Sequence, residues 1–244
     1  SRPYSEKLAE LLANVAGVLP GDAHPLLRRP PENPRTMLVV LTADRGLCGA
    51  FNSALLRQAE AYLRGATGRE VALVTVGRKG GDYFKRRPVT IAERRLLADA
   101  TPLALARSLA GSLAARFVAG EIDRVDLLYS RFRSALSQVP TVATILPVTV
   151  ERKEEAAPVE YLVEPDAATL LARLLPQSVE ARIYHAILES LASEHGARMT
   201  AMDSATSNAS DMIFRLTLEM NRARQAAITK ELMEIVGGAE ALKG

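Results

Sequence analysis

Three short apolar segments, rich in β-branched residues and bounded by turn signals, alternate with amphipathic segments along the first part of the chain. Residues 36–43 (TMLVVLTA), 70–77 (EVALVTVG) and 124–132 (RVDLLYSRF) predict buried strands. The apolar positions of residues 50–63 and 102–119 predict helices between them. Strand alternating with helix is typical of an α/β fold. We therefore predict an open, mostly parallel, Rossmann-like sheet domain with helices on both faces.

Weaker patterns flank these segments. Residues 1–19 are amphipathic and predict the end of an N-terminal helix, and the proline-rich residues 20–35 predict a linker. Residues 139–150 (VPTVATILPVTV) and 159–165 (VEYLVEP) predict two further strands that close or flank the domain. The α/β domain is accordingly expected to span residues 36–165.

The pattern changes at residue 166, and residues 166–244 predict one long helix. Pro176 is expected to interrupt its first turns, but no proline follows between residues 177 and 237. About 60 residues at roughly 1.5 Å each would make a rod on the order of 90 Å long. Globular helices average about 11–12 residues, so this length predicts a coiled coil, a bundle element or a docking shaft.

The apolar positions of this helix favour half of a coiled coil. The predicted seam has steps of 4, 4, 3 and 4 residues, a period close to 3.5, and consists of Met212, Leu216, Met220, Ala223 and Ala227. A less regular series continues it upstream at Ile183, Ile187, Leu191, Met202, Ala205 and Ala209. Small residues in a seam bring the partner helix close. The helix at residues 1–19 would cover only part of this seam.

The composition disfavours several classes of protein. Hydrophobic residues make up 48% and charged residues 24%, which is ordinary for a globular chain, and the net charge of +3 does not indicate a nucleic-acid partner. Cys48 is the single cysteine, so neither a disulfide framework nor a thiolate zinc site is expected. No apolar run approaches the ~20 residues that span a bilayer.

The turn LTADRGLCGAFN (residues 41–52) lies where a doubly wound fold binds phosphate, between the first strand and the first helix. Gly46 and Gly49 do not complete the G-x-G-x-x-G fingerprint, and the Lys-Ser/Thr of a P-loop is absent. A tight turn in which Asp44 and Asn52 make local hydrogen bonds is therefore favoured over nucleotide binding.

Catalytic and metal chemistry are also disfavoured. Cys48 lies near a predicted helix N-terminus, which could lower its pKa, but no histidine is obviously paired with it. His24 lies in the proline-rich segment, and His185 and His195 are ten residues apart on the long helix, which does not place them on one face. We expect no metal and no cofactor.

Two groups of basic residues each allow more than one interpretation. The first is at residues 78–88, a predicted loop or short helix in which only Asp82 opposes Arg78, Lys79, Lys85, Arg86 and Arg87. A solvated surface is favoured there over contact with phosphate, acidic protein or anionic lipid. The second group lies at residues 215–230 of the long helix, where within these sixteen residues only Glu219 opposes Arg215, Arg222, Arg224 and Lys230. A shaft in an acidic-lined channel and a solvated coiled-coil surface both fit that pattern.

Two stretches resemble the gamma subunit of F-type ATP synthase. Residues 199–242 (MTAMDSATSNASDMIFRLTLEMNRARQAAITKELMEIVGGAEAL) are similar to that family's C-terminal signature nearly from end to end. Residues 41–52 look like its first strand and turn, and the family turn motif would comprise Asp44, Arg45, Gly46, Gly49 and Asn52. The elements between them agree in order, so the resemblance covers essentially the whole chain.

The resemblance implies a central rotor shaft. In that family the C-terminal helix pairs with an N-terminal helix as an antiparallel coiled coil inside a ring of alpha and beta subunits, and the sheet domain contacts the epsilon subunit and the membrane c-ring. Rotation driven by ion flow changes the nucleotide affinity of each beta subunit in turn. The family implies no catalytic residue in this subunit, no cofactor, no nucleic acid and no small-molecule substrate. It implies a peripheral position on the cytoplasmic face of the bacterial cell membrane.

The resemblance also assigns partner-binding residues. Arg224 and Gln225 match a pair that hydrogen-bonds a loop of the beta subunit, and Thr229 and Glu231 lie one turn further on. The tip seated in an apolar collar of the ring would comprise Ile235, Val236, Ala239 and Leu242. Family members begin with about forty further basic, helical residues that supply the other axle strand. From their absence we expect self-association of this chain, or fraying beyond Ala201.

Two alternatives stay open at the level of sequence. A doubly wound nucleotide-binding enzyme with a helical appendage would need a nucleotide site at residues 44–52. A non-rotary coiled-coil scaffold would not join a hexamer at one copy for every three beta subunits.

Overall fold

The computed structural model describes residues 7, 11–12, 23–66, 68–149 and 166–241. Five strands form one sheet within these residues: β1 (Thr36–Leu41), β2 (Val71–Val76), β3 (Ile91–Arg95), β4 (Arg124–Ser134) and β5 (Ser137–Leu146). The α-helices are α1 (Phe51–Gly65), α2 (Arg78–Phe84), α3 (Pro102–Val118) and α4 (Ala167–Ala241), and short 3-10 helices lie at Pro25–Leu27 and Leu97–Asp99.

The sheet has the strand order β3-β2-β1-β4-β5. All neighbours run parallel except β5, which pairs antiparallel with β4 as the second arm of a hairpin. The predicted open, mostly parallel α/β fold is therefore confirmed. The segment predicted as a strand at residues 139–150 corresponds to β5, whereas the strand predicted at residues 159–165 lies outside the described residues.

Apolar side chains fill both faces of the sheet, as the continuous apolar run of β1 predicts. Met37, Val39 and Leu41 belong to a buried cluster that includes side chains of α3 and α4, such as Leu109. Leu38 and Val40 belong to the opposite cluster, which includes Phe51, Leu55 and Ala59 of α1 and Phe84 of α2. Helices therefore cover both faces. Burying each large apolar side chain stabilises the fold by about 1.5–3 kcal/mol.

The sequence pattern predicts no strand at residues 91–95, although these residues form β3. The segment IAERR has only two apolar residues and alternates intermediate with exposed positions, because it lies at the edge of the sheet with one face toward solvent. Its pairing with β2 decides its conformation, since a five-residue segment with three charged residues carries little strand signal by itself.

The predicted interruption of the long helix at Pro176 is wrong, because α4 runs unbroken through this residue. Asp166 precedes the helix, where its Oδ1 accepts a hydrogen bond from the Thr169 backbone amide at 2.8 Å. An interior proline costs about 3 kcal/mol. Leu175 and Val179, on either side of Pro176, are fully buried in the α3 and α4 cluster, and this packing outweighs the lost backbone hydrogen bond.

The chain divides into two compact units within α4, at Thr200 and Ala201. In the first unit α4 buries one face against the sheet. In the second unit, residues 202–239 are all exposed. The domain boundaries proposed from sequence at residues 19/20, 35/36 and 165/166 stay predictions.

An ion pair at the amino end of the sheet joins the segments that lead into β1 and β4. Asp123 Oδ2 accepts from the Arg35 backbone amide at 3.1 Å and from Arg35 Nε at 2.9 Å, while Arg28 Nη2 approaches Asp123 Oδ1 at 3.5 Å. The hydrogen bond from the Arg35 side chain is the largest cause that lowers the pKa of Asp123 below its ordinary 3.8.

This pair predicts an acid-sensitive contribution to stability. Because the pKa of Asp123 is lower in the folded chain, the contribution is present above pH 3.8 and is lost as the pH falls through the folded value. We expect Asp123→Asn to lower the free energy of unfolding at pH 7 and to flatten its decline below about pH 4. Urea unfolding from pH 2.5 to 7 measures both effects. A parallel decline in the variant and the parent chain would contradict this role for Asp123.

Candidate functional site

The turn after β1 connects the ends of neighbouring strands through hydrogen bonds. Asp44 Oδ1 accepts from the Arg78 backbone amide and Oδ2 accepts from the Ala98 backbone amide, both at 2.9 Å. Arg78 follows β2 and Ala98 follows β3, so one carboxylate connects the carboxyl ends of three neighbouring strands. Both carboxylate oxygens are therefore engaged by protein backbone.

Asn52 fixes the inside of the same turn. Its Oδ1 accepts from the Ala43 amide at 2.9 Å, and its Nδ2 donates to Cys48 Sγ at 3.1 Å. Leu47 (φ 60°) and Gly49 (φ 54°) both adopt left-handed backbone conformations that reverse the chain tightly. Asp44 and Asn52 thus hold a compact loop through hydrogen bonds, and Gly49 through its backbone conformation.

The surroundings of Cys48 do not suit a catalytic nucleophile. Its side chain is buried, and burial is the largest cause that raises the pKa of the thiol above its ordinary value. A raised pKa keeps the thiol protonated at neutral pH, whereas a nucleophile needs the thiolate. Among the described residues, no group of three or more His, Cys, Asp or Glu side chains is arranged to hold a metal ion.

Doubly wound folds bind nucleotides in a crevice at the carboxyl ends of the strands, at the point where the strand order reverses. In this sheet the strand order reverses between β1 and β4. Helix α4 covers this position. Ser193 Oγ donates to the Ser130 carbonyl at 3.0 Å, and Arg198 Nη2 reaches the Gly46 carbonyl at 3.5 Å. Side chains of α4 therefore bond to both elements that border this crevice.

The basic cluster of residues 78–88 is partly structural. The Arg87 guanidinium stacks 3.8 Å from the centre of the Tyr83 ring and donates to Glu60 Oε1 on α1 at 2.8 Å. Asp82 pairs with Arg94 at 2.9 Å. Arg78, Lys79, Lys85 and Arg86 are exposed. The role of Glu60 in balancing Arg87 could not be predicted from spacing, because Glu60 lies 27 residues away along the chain.

In the second unit, the predicted seam forms a narrow stripe along α4. At about 100° of rotation for each helical residue, the positions from Met212 to Ala227 fall within an arc of about 80°. Met212, Leu216 and Met220 are 57%, 57% and 60% exposed. An apolar stripe so open to water is typical of a surface that another chain covers.

The apolar positions change sides after Ala227, a feature that sequence reasoning did not identify. Lys230 and Glu234 continue the line of the seam and form an ion pair at 3.8 Å. Ile228 and Leu232 lie about 120° and 160° away around the helix from the centre of the seam, by the same rotation for each residue. A second exposed apolar stripe therefore begins on another side of the helix. The steps of 4, 3 and 4 that run from Ile228 to Ala239 are the sequence signal for it.

Most of the proposed partner-binding residues lie exposed on this part of α4: Arg224, Gln225, Thr229, Glu231, Ile235, Val236 and Ala239. Leu242 lies outside the described residues. Ile235 and Val236 are 68% and 59% exposed. Phe214, which sequence reasoning did not single out, is 65% exposed and lies outside the seam. The candidate site is thus an elongated, exposed surface that carries apolar and charged residues on different sides.

The comparisons with known proteins agree with these features. A profile of the ATP synthase family matches residues 1–242, and the chain belongs to this family. It is 50% identical over 246 residues to the ATP synthase gamma chain of Pelotomaculum thermopropionicum, which covers 100% of this chain and 86% of that relative. It is 46% identical to the ATP synthase gamma chain of Moorella thermoacetica, with the same coverage. The resemblance to gamma subunits is therefore confirmed.

Solved structures share the fold. The chain matches a chain of the Euglena gracilis mitochondrial ATP synthase with a TM-score of 0.66 and 19% identity, covering 99% of this chain and 90% of that one. It matches a chain of the Tetrahymena thermophila mitochondrial ATP synthase central stalk and c-ring structure with a TM-score of 0.58 and 24% identity, covering 83% and 94%. Within the described residues, no helix has both the length and the hydropathy to cross a membrane.

Proposed function

We propose that this chain is the central rotor shaft of an F-type ATP synthase. It couples ion-driven rotation of the membrane c-ring to conformational change in the catalytic beta subunits. The observation that carries the proposal is the exposed part of α4, in which every residue from 202 to 239 is open to solvent although large apolar side chains recur along it. Such a surface needs partners, and the family to which the chain belongs supplies them.

The partners are the alpha and beta subunits, the epsilon subunit and the c-ring. The solved relatives are described as a central stalk with a c-ring and as an assembly of F1 with a c-ring, which supports this set. The complex is membrane-bound. We place the chain on the cytoplasmic face of the bacterial cell membrane as a peripheral subunit.

The chain contributes to catalysis by contact rather than by chemistry. A ligand shifts a conformational equilibrium only through different contacts with the two states, and a shaft meets that condition if its sides differ. Up to Ala227 the apolar seam lies on one side of α4, and after Ala227 the apolar side chains lie on another side of the helix. A turn of the shaft would therefore present each beta subunit with a new surface. The contacts of α4 across the crevice and the burial of Cys48, which raises the pKa of its thiol, support a subunit without an active site.

Within this function, Arg224 and Gln225 bind a loop of the beta subunit, and Thr229 and Glu231 extend that contact. Ile235, Val236, Ala239 and Leu242 form the tip in the apolar collar. The seam from Met212 to Ala227 packs on a partner helix. The exposure of all of these residues that the structure describes supports the assignments, because none of the proposed side chains is needed for the chain's own core.

Co-expression with alpha and beta subunits tests the function. We expect the chain to co-purify at one copy for every three beta subunits by native mass spectrometry. We also expect slower amide exchange of residues 201–241 in the complex than in the isolated chain, because the partners exclude water from α4. Recovery of the chain without hexamer, or micromolar binding of labelled ATP or NAD by the isolated chain, would refute the proposal.

A further inference from the structure

The last two turns of α4 in the first unit are held from two sides. We call this contact the helix clamp, and it consists of Ser193, Gly196, Arg198 and Thr200 of α4 with the backbone of Gly46, Ser130 and Ala135. All of these residues belong to the first compact unit. The clamp therefore lies where the α/β unit ends and the exposed part of the helix begins.

One side of the clamp is the β4–β5 hairpin. Ser193 Oγ donates to the Ser130 carbonyl at 3.0 Å. The Thr200 hydroxyl shares its proton between the Ala135 carbonyl at 3.2 Å and the Gly196 carbonyl of its own helix at 3.1 Å. Gly196 lies between Ser193 and Thr200, and a Cβ atom there would approach Ala135 Cα to 3.3 Å. Positions three and four apart share one face of a helix. The small residues thus bring α4 against the hairpin backbone and bond to it directly.

The other side of the clamp is the turn after β1. Arg198 Nη2 reaches the Gly46 carbonyl at 3.5 Å, and Glu194 holds the same guanidinium at 2.5 Å. Ala197 is buried in the cluster that includes α1. At about 100° for each residue, Arg198 lies about 140–160° around the helix from Ser193 and Thr200. The two sets of contacts are therefore nearly opposite each other.

Contacts of this kind resist rotation of the helix about its own axis. Upstream, α4 buries one face through apolar side chains such as Leu175 and Ile183, and rotation of the helix would expose these side chains to water. The clamp adds contacts that also depend on direction. A hydrogen bond weakens steeply when its angle changes, and a Cβ atom at Gly196 would lie only 3.2 Å from Phe132 Cε2 and 3.3 Å from Ala135 Cα, so this face of the helix packs closely on the hairpin. Rotation of α4 would break bonds on both sides of the clamp together.

We propose that the helix clamp is a rotational lock that passes torque between the α/β unit and the part of α4 beyond Thr200. Ser193, Gly196, Arg198 and Thr200 are positioning residues in this lock. The proposal rests on the rotor function. It adds the place at which the sheet domain and the shaft are made to turn together.

Single-molecule rotation of the complete ATP synthase tests the lock. The hexamer is fixed to a surface, and a bead is attached to the α/β unit through Gln58→Cys on the exposed side of α1, since the native Cys48 is buried. Rotation driven by ATP is followed with beads of increasing drag. In the double variant Ser193→Ala/Thr200→Val, we expect unchanged ATP hydrolysis and unchanged rotation with small beads. With large beads we expect slipping, about fivefold more frequent for each hydrogen bond removed.

The matched control is Ser178→Ala. Ser178 is also buried on α4, but its hydroxyl donates to the Leu175 carbonyl of the same helix at 2.7 Å, so its loss should leave rotation under load unchanged. Thr200→Ser, which keeps the hydroxyl, should also sustain load. If the double variant does not assemble, Ser193→Ala gives the same comparison with one bond removed.

Equal torque in the clamp variant and the parent complex at every load would overturn the lock, as would equal losses in the clamp variant and Ser178→Ala. A parent complex whose bead does not rotate would instead refute the rotor function itself. The two failures are therefore distinguishable.

Discussion

Gly77→Ala is expected to destabilise the α/β unit by about 3 kcal/mol or more, since the replacement combines backbone strain with a steric clash. Gly77 has φ 94° and ψ 142°, a conformation essentially restricted to glycine. A Cβ atom there would overlap the Thr42 carbonyl oxygen and lie 2.6 Å from the Thr42 carbonyl carbon. Neither group can move freely, because Thr42 and Gly77 donate backbone hydrogen bonds to β2 and β3 at 2.8 Å.

Tyrosine fluorescence during urea unfolding measures this effect in the first unit alone. The chain has no tryptophan, and none of its six tyrosines lies after Thr200. Gly111→Ala is the matched control. Gly111 is an exposed residue inside α3, and no atom lies within 4 Å of the place that an alanine methyl group would take, so we expect a gain of about 0.5–1 kcal/mol. Similar midpoints for the two variants would show that the conformation at Gly77 is not required.

Arg224→Ala is expected to reduce ATP synthesis by the assembled complex by about 10- to 100-fold, the range for losing one hydrogen bond to a charged group. Arg224 is exposed on α4, where the family assignment gives it a beta-subunit loop as its partner. The stability of the isolated chain should not change, because an exposed side chain away from other features contributes little to folding. ATP synthesis in sealed vesicles and urea unfolding of the isolated chain measure the two outcomes separately.

Arg222→Ala is the control for this prediction. Arg222 is equally exposed and only two residues away, but it lies about 160° around the helix from Arg224. Its loss should affect synthesis far less if one side of the shaft carries the beta-subunit contact. Equal effects of the two variants would indicate a general charge requirement and would contradict the assigned role of Arg224.

Several elements could be predicted from local patterns because their signals are local. The apolar run of β1 and its glycine-bounded turn are explained by burial on both faces of a parallel sheet, and β1 is buried along its whole length. The length of α4 follows from the absence of proline after Pro176. The hydrogen bonds of Asn52 within the turn were likewise expected. In each case, neighbours along the chain carry most of the information.

The elements that sequence reasoning missed depend on distant partners. Residues 91–95 form β3 because the edge of β2 is available to them, and α4 passes Pro176 because Leu175 and Val179 are buried. The same holds in the turn, where Asp44 bonds to Arg78 and Ala98 rather than to its neighbours. Sequence spacing does not show these contacts, since they join residues tens of positions apart.

The sequence by itself determined the α/β class and the long C-terminal helix, because periodicity and turn chemistry are encoded over short distances. The family followed from the resemblance of residues 41–52 and 199–242 to known gamma subunits. Only the tertiary structure decided that α4 bonds to the turn after β1 through Arg198 and to the β4–β5 hairpin through Ser193 and Thr200. The physical reason is that such contacts arise from how the chain packs in three dimensions. The sequence does not show whether the hydroxyl of a helical serine or threonine bonds to its own helix or to another element.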